Sequence, residues 1–460
     1  MKLLKTLSLV LALAMLFTAC GSADTKETTT TTESTTVTAT EAPDDAPASD
    51  VTDIMLSDDE ITVDGTSAGS LSNAFIYTAN DIVYYESGKD FTYGEGSEAD
   101  AHTAEEAEKH TVVHITKPGK YSISGKLSYG QIAVDLGKDA KEDPEAVVTL
   151  ILNGIDINCD VAPAIIFYNV YECGSDDTET ATKDVDTSKA GANVIIADGT
   201  VNTVNGSYVA RIYKPDSVVL NAYGTEVEDA KKLHKYDAAF YSKMTMNVNG
   251  DEEGTGKLNI TAENEGLDSE LHLTINGGNI SILSGNDGIN TNEDGVSVTT
   301  VNGGTLKITV TGETGEGDGI DSNGWLVING GTVIAQACST SADAGIDSDM
   351  GIHINGGTVI ATGSMLDRIE DGGQTYATFN LGQRQGEGST LYIKDGQNNT
   401  VKKFESENTF SVLVFSSPDL TDDNSYTLWN ADYQLAEESN GMDYGPGGPG
   451  GPGGPGGPRP

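Results

Sequence analysis

Leu273-Thr274-Ile275-Asn276-Gly277-Gly278-Asn279-Ile280-Ser281-Ile282 decides the fold, because the same pattern returns three times. The returns are Val298-Thr299-Thr300-Val301-Asn302-Gly303-Gly304-Thr305-Leu306-Lys307-Ile308, Leu326-Val327-Ile328-Asn329-Gly330-Gly331-Thr332-Val333-Ile334-Ala335 and Ile352-His353-Ile354-Asn355-Gly356-Gly357-Thr358-Val359-Ile360-Ala361. The Asn-Gly-Gly triplets start at 276, 302, 329 and 355, at intervals of 26, 27 and 26 residues. A fixed period in this range marks a solenoid. On both sides of each triplet, aliphatic and β-branched residues alternate with polar ones, as in a strand with one buried face. Asn and Gly tolerate positive φ and turn the chain between the two strands. Two or three strands per unit, with no helical period, predict an all-β chain folded as a parallel β-helix. The Leu-x-x-Leu-x-Leu-x-x-Asn pattern of a leucine-rich repeat is absent.

Working outward, the repeat continues upstream in weaker form at Val148 to Asn158, Asn193 to Thr203 and Met244 to Ile260. Segments 171–190 and 211–236 read as insertions that loop out. Ile115 to Gly125 reads as the first coil. Residues 53–110 are expected to cap one end and residues 400–437 the other, because open ends would expose strand edges and core. The β-helical domain is thus expected over 111–437.

Beyond it lie two tails. Residues 20–52 are rich in Thr, Ala, Asp, Glu and Pro and cannot bury enough apolar surface to fold. They read as a tether. Residues 438–460 end in repeated Gly-Pro-Gly-Gly and read as a second disordered tail.

Residues 1–19 are a targeting segment. Lys2 and Lys5 precede the apolar run Leu7 to Phe17, which is too short to span a bilayer. Thr18-Ala19-Cys20 then looks like a lipoprotein cleavage site, with lipid on Cys20. The alternative is an ordinary secretory signal cut near Ala19. Cys159 and Cys173 could pair outside the cell, or be buried free thiols, as could Cys338.

The chain has 26 Lys+Arg against 71 Asp+Glu, a formal charge of −45 over 460 residues. Such a balance argues against nucleic acid or an anionic lipid surface as partner. It favours a cation, or something reached through one. Hydrophobic residues are 37% and glycines number 55, which suits short strands and many turns.

A second motif travels with the repeat: Glu265-Gly266-Leu267-Asp268, Asp287-Gly288-Ile289-Asn290, Asp318-Gly319-Ile320-Asp321 and Asp343-Ala344-Gly345-Ile346-Asp347. The Leu or Ile should point inward, and the following Asp or Asn outward. Stacked coils would bring like charges to about 4.8 Å. That repulsion costs about 1 kcal/mol in water and several in a protein-like medium. Calcium offsets it, since it takes six to eight oxygen ligands from carboxylates, amides and carbonyls. The candidate ligands are Glu265, Asp268, Asp287, Asn290, Asp318, Asp321, Asp343 and Asp347, with several ions expected. Asp294, Glu313, Glu316 and Asp349 lie nearby in sequence. No Cys/His cluster competes for zinc or copper. The bland reading is that these residues only make turn hydrogen bonds.

These elements together resemble the bacterial carbohydrate-binding domain family of calcium-binding, right-handed parallel β-helix proteins. The matching stretches are Ile115 to Leu127, Val148 to Gly154, the two repeated motifs, and Ser411 to Leu420, so the likeness covers roughly residues 110–430. The resemblance implies right-handed coils and the in-register carboxylates as calcium ligands. It also implies binding of acidic plant polysaccharide such as polygalacturonate, or of cellulose, without an established cleavage activity. Ala344 and Asn290 depart from the pattern of the other repeats. The expected protein is therefore a non-catalytic, monomeric, lipid-anchored module on the extracellular face of a bacterial membrane.

Two alternatives stand beside it. One is a pectate-lyase-like or polygalacturonase-like enzyme. From 256 to 363 the only Lys or Arg residues available as a base are Lys257 and Lys307, with Arg368 and Arg384 beyond. His272 and His353 read as surface decorations. The other is a structural stalk. The sugar-binding residues themselves are not apparent; Trp325, Tyr376 and Phe379 could stack on sugar or pack internally.

Overall fold

Every Asn-Gly-Gly bend sits between two short strands: His272–Ile275 and Asn279–Ser284, Val298–Val301 and Thr305–Val310, Trp325–Ile328 and Thr332–Gln336, Gly351–Ile354 and Thr358–Gly363. The computed structural model describes residues 51–70, 74–431 and 433–439, all within one unit. The signal segment, Cys20, nearly all of the expected tether and nearly all of the C-terminal tail lie outside the described residues.

Strands pair in parallel with their equivalents one repeat later. Leu273 pairs with Thr299, Thr299 with Leu326, and Leu326 with Ile352. On the far side of the bend Ile280, Leu306, Val333 and Val359 stack likewise. A third parallel ladder runs through Glu265–Ser269, Ile289–Thr291 and Ile320–Ser322. The alternating aliphatic residues of all three ladders meet in one core, with Leu273, Ile280, Leu267, Ile289 and Ile320 among its buried members. Full burial of each such side chain contributes roughly 1.5–3 kcal/mol, against a backbone ordering cost of about 1–2 kcal/mol per residue.

The bends are held by an amide chain. The Nδ2 of Asn276 donates to Asn249 Oδ1 at 2.9 Å, Asn302 to Asn276 at 2.8 Å, Asn329 to Asn302 at 2.9 Å and Asn355 to Asn329 at 2.8 Å. The second glycine of the triplet is required by its surroundings. Gly304 has φ +80°, and a Cβ there would lie 2.4 Å from Gly278 O.

The molecule is nearly all β, with one four-residue α-helix, Ala104–Ala107, among the described residues. Its sheets are mixed, however, and the expectation of one parallel β-helix over 111–437 meets two differences. At the N-terminal end, Val51–Leu56 pairs in parallel with Gly119–Leu127, so the expected tether–cap boundary at 52/53 falls inside a strand. Ile54 and Leu56 are buried there, a period too short to stand out beside a Thr-rich segment. At the C-terminal end, pairing turns antiparallel after Thr358–Gly363. Phe410–Ser416 runs antiparallel to it and to Tyr376–Gln385. Four further antiparallel strands, Thr390–Lys394, Thr400–Glu405, Thr427–Trp429 and Gln434–Glu437, share a second core. Phe379 is fully buried with that core, so it packs and does not stack on sugar.

The insertion at 211–236 forms small antiparallel hairpins, Val209–Tyr213 with Lys232–Tyr236 and Val219–Leu220 with Val227–Asp229. Cys159, Cys173 and Cys338 are free thiols. No described helix is long and apolar enough to cross a membrane.

Candidate metal centre

The third ladder positions the acidic residues in two columns. Gly266 N–H donates to Asp287 C=O at 3.0 Å, Gly288 to Asp318 at 3.0 Å and Gly319 to Ala344 at 3.1 Å. Glu265, Asp287, Asp318 and Ala344 therefore follow one another along one column. Asp268, Asn290 and Asp321 pair in register along the second, preceded by Tyr241. Asp347 continues it, next to the Ile346–Ile320 bridge. Between the columns Phe240, Leu267, Ile289 and Ile320 point into the core.

Asp343 leaves the first column. Its carboxylate accepts from Gly317 N–H at 3.0 Å, from Cys338 Sγ at 2.9 Å and from the Ser341 hydroxyl. The extra residue in Asp343-Ala344-Gly345 moves the acid one place back, so Ala344 takes the register of Asp318.

The outward-facing acids are covered rather than solvated. Asp268 is fully buried, and Glu265, Asp287 and Asn290 are each less than a tenth exposed. Asp318, Asp321 and Asp347 are half-buried, and Asp349 is exposed. The closest convergence is made by Asp237, Glu265 and Asp268, whose carboxylate oxygens lie within 4.8 Å of one another. Among the described residues no other three acidic, His or Cys side chains approach so closely.

The trio is only partly satisfied. Asn292 Nδ2 donates to Asp268 Oδ1 at 2.8 Å and Oδ2 at 2.9 Å, and Asn290 Nδ2 donates to Glu265 Oε1 at 3.2 Å. Lys235 Nζ lies 2.7 Å from Asp237 Oδ2. Glu265 Oε2 and Asn290 Oδ1 are buried without any hydrogen-bond partner. A buried acceptor left so costs about 1–3 kcal/mol, more when charged.

The electrostatics say the same. Burial, then the charges of Asp268 and Asp237, holds the Glu265 carboxyl well above the usual range. Burial and Asp237 do so for Asp268, and burial and Glu265 for Asp287. Asp318 is raised by burial and by Asp347 and Asp287. Asp347 is pushed up to about 8 by burial and by Asp367, Asp321 and Asp349. Burial also raises Asp237, against the pull of Lys235. One ammonium does not neutralise this group. Protons or a cation must make up the difference. The donors are hard oxygens, carboxylate and amide, with no His or Cys among the three acids. Such oxygen donors suit hard cations such as magnesium, calcium or manganese better than zinc or copper.

Asp237 was not among the residues singled out from the sequence, yet a signal for it exists. Asp237-Ala238-Ala239-Phe240-Tyr241-Ser242 has the same Asp-Ala-x-apolar-x-Ser layout as Asp343-Ala344-Gly345-Ile346-Asp347-Ser348. The insertion ending at Tyr236 hides it. Lys235 also escaped notice as a base beside the acids. Of the residues considered as a catalytic base, Lys307 pairs with Glu407 and Arg368 with Glu370. His272 is a correction. It is 3% exposed, and its Nδ1 accepts the Val298 N–H at 3.1 Å.

A family model described as carbohydrate-binding domain-containing protein matches residues 109–400, and the chain belongs to that family. A protein of Acetivibrio thermocellus with the same description is 31% identical over 172 residues, 37% of this chain and 44% of that protein. The chain thus spans less than half the length of that relative. A solved polysaccharide lyase-like protein from C. thermocellum, a gadolinium derivative, has 20% identity and a TM-score of 0.38, covering 67% of this chain and 89% of its own.

Proposed function

We propose that this chain is a calcium-supported, non-catalytic module for plant cell-wall polysaccharide, with an acidic, polygalacturonate-like glycan as ligand. Membership of the carbohydrate-binding domain family supports the polysaccharide. The observation that carries the calcium is the pair of buried, unpartnered oxygens, Glu265 Oε2 and Asn290 Oδ1, beside the converging carboxylates of Asp237 and Asp268.

In this reading the ions have two tasks. One in the buried trio rivets successive coils, because its ligands come from different rungs. Another, near the half-buried Asp318, Asp321 and Asp347, faces outward enough to share its coordination with a sugar carboxylate. An acidic protein and an acidic polymer otherwise repel one another, and a bound divalent cation inverts the local charge. The ladders wind as a right-handed parallel β-helix, the hand that parallel crossovers adopt. Cys20 carries a lipid that holds the monomeric module at the outer face of a bacterial membrane.

The test is affinity electrophoresis through gels containing polygalacturonate, with calcium and with EGTA, alongside a thermal melt in each buffer. Calcium-dependent retention with a lower Tm in EGTA supports both tasks. A calcium-dependent Tm without retention removes the uronate ligand and keeps the rivet. Loss of both effects removes the calcium.

A further inference from the structure

We propose that a neutral, extended glycan chain binds in the groove between the 183–188 segment and the asparagine bends, lying along the ladder with one sugar residue per coil. The proposal rests on the polysaccharide-binding reading and assigns that ligand a site separate from the acidic columns.

The groove is about 520 Å³, within the ~300–1,000 Å³ typical of small-ligand sites. One wall is Lys183 to Ser188, part of the insertion before the strand Ala192–Ile196. The other is built from residues one repeat apart: Asn276, Asn302, Asn329 and Asn355, with Thr300 beside them. Lining residues drawn from four successive coils mean that the groove runs along the stacking direction, across the strands. Thr187 Oγ1 and Thr274 Oγ1 lie 2.8 Å apart, which ties the wall to the sheet face. Trp325, on this same outward face two residues before Val327, is partly exposed.

The amide chain leaves capacity for a ligand. An asparagine side chain has two N–H donors and two carbonyl lone pairs. Asn276, Asn302 and Asn329 each spend one of each on their neighbours, yet all four amides of the row are exposed. What remains at each rung is a donor and an acceptor side by side, which matches two neighbouring hydroxyls of a pyranose. The rungs repeat at about 4.8 Å, close to the advance of one residue in an extended, equatorially linked glycan.

Charge selects the class. The ionisable groups lining the groove are Lys183, Asp184 and Asp186. Lys183 Nζ is already 2.7 Å from Asp184 Oδ1, and Asp186 accepts the Ser188 N–H at 3.0 Å. The groove carries a net negative charge, so a polyuronate enters against repulsion and an uncharged glycan does not.

The test uses the full chain in calcium, on gels containing hydroxyethylcellulose, xylan or polygalacturonate. Thr300→Trp fills the groove without touching the amide chain, and Asn302→Ala with Asn329→Ala removes two rungs. The expected result is retention of the native chain by at least one neutral glycan, weakened about tenfold or more by either change, with polygalacturonate retention and Tm unchanged for Thr300→Trp. Neutral-glycan retention that survives Thr300→Trp in a protein of native Tm overturns the proposal. If Thr300→Trp lowers Tm, the asparagine pair decides by the same criterion. Absence of neutral-glycan retention in the native chain also overturns it, and polygalacturonate retention in the same experiment then shows that the broader reading stands.

Discussion

Asn290 Nδ2 donates to Glu265 Oε1 between adjacent coils, and the second carboxylate oxygen of Glu265, Oε2, and the amide oxygen of Asn290, Oδ1, are left buried without a donor. Both oxygens are shielded from bulk solvent, and a bound cation would satisfy them together. Glu265→Gln removes the charge and places an N–H where a cation would sit. The calcium-induced rise in Tm, several degrees if calcium exceeds its Kd about a hundredfold, should largely vanish in this variant. Asp343→Asn serves as the control. Its carboxylate is bound to Gly317, Cys338 and Ser341, so the calcium-induced rise should remain.

The row that separates the acidic columns is aliphatic. Leu267 is fully buried between Phe240 and Ile289. Leu267→Ala should cost about 2–5 kcal/mol, as large-to-small core changes do. The same variant should lose calcium affinity, because Asp268 is the next residue and depends on that strand for its position. Chemical denaturation and calcium titration measure the two effects.

Glycine is not equally needed at every turn. Gly304→Ala meets a positive φ and the carbonyl of Gly278 on the preceding coil. Gly199 also has positive φ, +69°, but open space around the missing Cβ. Gly199→Ala should therefore cost only the conformational ~1–2 kcal/mol, and Gly304→Ala clearly more. Paired urea melts compare them.

His272 makes stability pH-dependent. Burial lowers its pKa from 6.5 to about 4, and its Nδ1 must stay unprotonated to accept the Val298 N–H. The unfolded chain binds that proton near pH 6.5 and the folded chain only near pH 4. The contribution is therefore fully present above pH 6.5 and is lost as pH falls toward 4. Its size is roughly 3 kcal/mol. The buried carboxylates act in the opposite sense, so the measurement is a difference. His272→Asn keeps an acceptor for Val298 and should show a smaller loss of stability between pH 6.5 and 4 than the native chain.

The repeat region was legible because period-two alternation and a period near 26 residues are local properties of the chain. Apolar residues at every second place must share a face, and identical bends must stack if their strands are to pair. The nearly all-β character, the strands flanking each Asn-Gly-Gly and the inward row containing Leu267, Ile289 and Ile320 follow from these local patterns alone. Which acids converge depends instead on how the coils pack. Asp237, which directly follows an insertion, reaches Glu265 and Asp268 on the next coil, while Asp343, in the same local pattern, turns away to Cys338. The turn to antiparallel pairing after Gly363 and the groove against 183–188 also depend on where distant segments land. A carboxylate's neighbours are fixed by packing between coils, and packing is settled by the whole chain rather than by the few residues on either side.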